Sequence, residues 1–191
     1  MLKVKSNLRV FFICIIIAFV CLFGYLLFQN FCAELFIRWK FEERTTLNLF
    51  KNGFWNAFII VAIIYPVLEE LIFRLFACRL LNMTKLPVWA VVLISAVIFM
   101  LYHWSWSQVV YQLLMGIWLA WIFMKTRNIG WAVLIHFINN AFIVTYTYLT
   151  GVGDSVFELN AGNIILSISL AVVTTIVVIF LIKKGIPHYE K

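Results

Sequence analysis

The chain has 191 residues, of which 65% are hydrophobic and 12% charged. Soluble domains average about 45–50% apolar and about 25% charged, so a soluble globular domain is excluded and the chain reads as an integral membrane protein. The net charge of +7 does not point to nucleic acid, because the basic residues stand at the ends of apolar segments, where topology determinants belong.

From the N-terminus, Lys3, Lys5 and Arg9 precede an apolar run that reaches Phe28. The run is too long for a signal-peptide core and no small-x-small cleavage site follows it, so it reads as an uncleaved first span over residues 10–29. Residues 30–52 mix aromatics with Glu34, Arg38, Lys40, Glu42, Glu43 and Arg44, the pattern of an interfacial amphipathic helix followed by a loop. A helix needs about 20 apolar residues to cross the hydrocarbon core, and five further segments qualify: 54–76, 87–104, 108–125, 130–149 and 163–182. Gly151-Val152-Gly153-Asp154 is a turn signal before the last of them. Four cysteines, Cys14, Cys21, Cys32 and Cys78, lack CxxC spacing and read as buried free thiols. The expected architecture is all-α: a single polytopic transmembrane bundle of about six spans over residues 1–191, with an interfacial helix after the first. Basic residues weigh toward the N-terminal side, so both termini are expected in the cytoplasm of a multi-pass cell-membrane protein.

Within this apolar frame a few polar residues stand out. Glu69 and Glu70 follow the run Ala57–Leu68 on the second span, and Arg74 follows four residues after Glu70. A charged side chain at mid-bilayer costs roughly 2.5–3.5 kcal/mol on insertion scales, so two adjacent carboxylates need a reason. Residues four apart share a helix face, which lets Glu70 pair with Arg74. Glu69 lies about 100° round the helix and is left to face a cavity. Pro66, one turn earlier, removes a backbone hydrogen bond and can kink the helix. On the third span Phe99 and His103 share a face; on the fifth, His136 and Asn140 do. Alone, each fits an interfacial histidine or an interhelical clamp.

Together, a Glu, two His and an Asn on three spans suit water activation. A buried carboxylate can act as general base, an imidazole can orient the water, and His with Asn can donate to a tetrahedral oxyanion. The same Glu69, His103 and His136 also make a ligand set for a divalent metal such as zinc. HExxH and GxSxG are absent, which argues against zincin and serine-hydrolase chemistry. Ser95 and Ser105 lie near His103 without a supporting motif.

Glu69-Glu70-x-x-x-Arg74, Phe99-x-x-x-His103 and His136-x-x-x-Asn140, in that order on three helices, resemble the CPBP family (CaaX proteases and bacteriocin-processing or Abi proteins) over about residues 54–149. The resemblance implies an intramembrane endopeptidase acting on a membrane-associated peptide or protein, with the lipid bilayer as its medium. It implies Glu69 as base, His103 as its partner on the water, His136 and Asn140 at the oxyanion, and Glu70 with Arg74 as a brace. Metal and glutamate mechanisms both remain open at this stage. The alternative function is a non-proteolytic bacteriocin-immunity or scaffold protein with the same fold; a proton-coupled transporter is disfavoured for want of an inverted repeat. Counting at 1.5 Å per residue puts His103 on the order of 15 Å further out than Glu69, and a single site requires that gap to close.

Overall fold

The structure, a computed structural model, describes residues 8–22, 50–103, 108–150 and 161–186. The expected interfacial helix over 30–52 falls largely outside these, as do Cys32, the residues 104–107 beyond His103 and the Gly151–Asp154 turn. Six helices and no strands occur among the described residues. They are α1 (Leu8–Leu22), α2 (residues 54–83), α3 (Val88–Tyr102), α4 (Val109–Thr126), α5 (Ile129–Thr150) and α6 (Ala161–Phe180, continued by the π-helical turn Leu181–Gly185). By length and composition three stretches can cross a membrane: α4, Ile129–Leu149 and Ile164–Gly185. α1 and α3 are shorter apolar helices, and α2 carries the charged motif.

Local chemistry sets the ends. Gly53, at φ 86°, turns the chain into α2, a conformation open to glycine because it lacks Cβ. Helix α2 runs to Met83, further than the expected end at residue 76, because no breaker intervenes before Thr84–Pro87. There Thr84 Oγ1 donates to Leu81 O at 2.6 Å, Lys85 takes a left-handed conformation, and Pro87 caps α3 in extended geometry. Between α4 and α5 Arg127 is left-handed, its N–H donating to Phe123 O. Asn128 Oδ1 then accepts from Gly130 N at 2.9 Å, as an N-cap side chain does.

The core joins α1, α4, α5 and α6 through Ile17, Ala18, Leu119, Ile122, Ile135 and Ile182, among others. A second cluster ties α2 to α3 and α4 through Cys78, Val91, Ala120 and Phe123. Cys14, Cys21 and Cys78 are free, buried thiols. Helices α3 and α4 come close at Gly116, where a Cβ would stand 3.0 Å from Ala96 Cα; small residues permit such backbone contact between membrane helices. Outward faces carry Ile59, Ile63, Ile72, Phe76 and Ile176, which lipid solvates as well as protein does. At the far end of α6, Lys125 Nζ donates to Ile182 O and Lys183 O and Arg9 Nη2 to Lys184 O. These two cations satisfy carbonyls that a helix C-terminus leaves without intrahelical partners.

Helices α2 and α3 form an antiparallel hairpin. Counted from its turn, Glu69 stands fourteen residues before Met83 and His103 fifteen after Val88. The two are therefore level, and the expected 15 Å offset does not exist. It came from ending the second span at residue 76, which hid the register of the two arms about their turn.

Candidate active site

Glu69 and Glu70 end an α-helical segment, Tyr65–Glu70, set between π-helical stretches at Phe58–Ile64 and Leu71–Cys78. Such widened turns leave carbonyls in need of partners and often accompany functional sites. Tyr65 N–H bonds back to Ile60 O; in the same register the next donor would be residue 66, and Pro66 has no N–H. Val61 O is the carbonyl left over, and Asn140 Nδ2 donates to it at 3.0 Å. In the second stretch, Ser95 Oγ donates to Phe73 O at 3.1 Å. Ser95 is thus engaged in holding α2 and does not line the cavity.

Glu70 and Arg74 are fully buried, with Arg74 Nε 3.0 Å from Glu70 Oε2. The guanidinium carbon lies 4.4 Å from the centre of the Phe99 ring, a cation–π contact. The approach to Glu70 lies off the hydrogen-bonding direction, and among the described residues Arg74 finds no hydrogen-bond acceptor. Its stabilisation is ionic and aromatic. Phe99 also packs edge-on against Phe73, His103 and His136, at 5.2, 4.5 and 5.8 Å between centroids. The phenylalanine of the second motif is therefore the wall that all three motifs share.

The two histidines are fixed from behind. His103 Nδ1 lies 2.9 Å from Phe99 O; a carbonyl only accepts, so Nδ1 carries the proton and Nε2 is left facing forward. His136 Nδ1 lies 2.9 Å from Glu70 Oε1, where a carboxylate ion-paired with Arg74 is the natural acceptor. Forward of them, Glu69 Oε2 is 3.8 Å from His103 Nε2 and 3.6 Å from His136 Nε2. Those separations are too long for direct hydrogen bonds and suit a bridging water.

Glu69, His103, His136 and Asn140 line one cavity of about 600 Å³. All four candidate site residues come together there, while Glu70 and Arg74 stand behind the wall. The cavity also holds Tyr111, Asn139, Gln108 and Gln112, which the motif analysis passed over. Tyr111 Oη donates to Asn139 Oδ1, Asn139 Nδ2 to Asn140 Oδ1 at 3.2 Å, and Asn140 onward to Val61 O. This relay fixes the Asn140 amide. The share of the lining that comes from α4 did have a sequence signal: Gln108, Tyr111 and Gln112 share one face at three- and four-residue spacing in an apolar span. Among the described residues no group of three or more His, Cys, Asp or Glu has the geometry to hold a metal ion.

Residues 51–142 match the family model described as type II CAAX prenyl endopeptidase Rce1-like. No curated protein and no solved structure matches the chain.

Proposed function

With residues 51–142 belonging to the Rce1-like group of the CPBP family, an intramembrane protease family, we propose that this protein cleaves a peptide bond of a membrane-associated peptide or protein with a water activated by Glu69. The observation that carries this reading is the convergence of His103 Nε2 and His136 Nε2 on Glu69 Oε2 within 3.8 Å at the wall of one cavity.

In this mechanism the water sits between Glu69 and His103. Glu69 takes its proton as the oxygen adds to the scissile carbonyl, and His103 Nε2 orients it. The tetrahedral oxyanion meets His136 and the second N–H of Asn140. For Nε2 to donate while Nδ1–H is held by Glu70, His136 acts in this step as the imidazolium, in which both nitrogens are donors. Glu69 then passes the proton to the leaving nitrogen, the C–N bond breaks, and one water has been consumed for one new carboxylic acid and one amine. Glu70 and Arg74 touch no reacting atom; they position His136.

The test compares wild type, Glu69→Gln and His136→Ala for accumulation of uncleaved substrate in membranes, at matched abundance. Positioned acid–base groups contribute about 100- to 10,000-fold, so Glu69→Gln should lose cleavage by that order. Retained activity at normal abundance would instead favour the immunity or scaffold reading. Activity is expected to survive a chelator; loss on chelation with recovery on adding zinc would assign the three side chains to a metal.

A further inference from the structure

The cavity has a direction. Its lining comes from the first half of α2 (Val61, Tyr65, Glu69), the last residues of the α3 arm, the first turns of α4 (Gln108 to Met115) and α5 from its third turn onward (His136 to Thr147). No lining residue lies beyond Glu69 toward Met83. These four helix ends lie together: the Phe54 and Tyr148 rings are 4.8 Å apart. The catalytic groups thus form the floor and the mouth is at the Gly53–Thr147 end. Gln108, Gln112, Asn139 and Thr147 line the passage; Gln112 Nε2 donates to Gln108 Oε1 at 3.2 Å, and a wall of such polar side chains suits water better than lipid.

The opposite end of the bundle is the basic one. Arg79, Lys85, Lys125, Arg127, Lys183 and Lys184 cluster there, and Arg9 reaches Lys184 O. Among the described residues the mouth end holds only Lys51. The sequences linking α3 to α4 (104–107) and α5 to α6 (151–160) contain no Lys or Arg. The 30–49 segment offsets Arg38, Lys40 and Arg44 with Glu34, Glu42 and Glu43. Basic residues near helix ends mark the cytoplasmic side.

We infer that the cavity opens on the extracytoplasmic face of the membrane, so that its substrate is an exported peptide or an extracytoplasmic segment, delivered after translocation. The substrate half of this inference rests on the protease reading; the direction of the mouth does not. Three single cysteines in a Cys32→Ser chain test it, since the remaining native thiols are buried. Thr147→Cys and, as a second mouth position, Gln108→Cys should react with a membrane-impermeant maleimide in intact cells as fully as after permeabilisation. Lys184→Cys should react only after permeabilisation. The reverse pattern overturns the inference, as does a mouth cysteine that stays unreactive in permeabilised cells. Labelling is scored whether or not anything is cleaved, so an outward mouth in an inactive protein would count against the protease reading alone.

Discussion

His136 stands between two carboxylates that do different work. Its Nδ1 is held by Glu70, and Glu70 is held by Arg74, so three buried polar groups set the direction of one ring. Removing one partner of a buried ion pair leaves the other uncompensated, a loss of about 3–5 kcal/mol. Arg74→Ala should therefore lower thermal unfolding in detergent sharply, while Glu69→Gln should leave unfolding near wild type and abolish cleavage. Equal stability losses in the two variants would contradict this division of labour. Asn139→Ala offers a finer check: it frees the Asn140 amide to turn, so kcat should fall with little change in KM or in abundance.

Helix α2 shows why a helix in this protein cannot be read from composition alone. Its two π stretches leave carbonyls that neighbouring helices fill from Asn140 and Ser95. Asn140 had a reason to exist from its spacing to His136, but its bond to Val61 depends on the register of the first π stretch and the missing Pro66 N–H. No hydrophobic period encodes that. Ser95→Ala should cost about 1 kcal/mol, the net worth of one hydrogen bond, read as a small fall in melting temperature. Helices α3 and α4 meet at Gly116, where the added bulk of Gly116→Val would collide with Ala96. Overpacking of this kind costs about 1–3 kcal/mol, and the same melting assay should register it.

At the scale of the molecule, the six-helix bundle and the convergence of Glu69, His103, His136 and Asn140 were legible from spacing, because helical periodicity needs only the sequence. The depth of His103 was not. It depended on where α2 stops, and Arg79 and Asn82 look like a span end although the helix continues past them to Met83. Glu70's contact with His136 was also hidden, since pairing it with Arg74 already accounted for its charge. The polar relay through Tyr111 and Asn139 escaped because its members lie on two helices and belong to no motif.

The level arms of the α2–α3 hairpin work as a caliper, and that limits how the chain can tolerate changes in length. Residues added at the turn, between Thr84 and Lys85, leave both arms counting from the same helix ends and should preserve cleavage. One residue inserted at Ile94 would move His103 by 1.5 Å and swing it about 100° round its axis, away from Glu69. Paired insertions at the two sites, assayed side by side, should give one active and one inactive protein. Variation in length is therefore expected to collect at the turn and be absent from its arms.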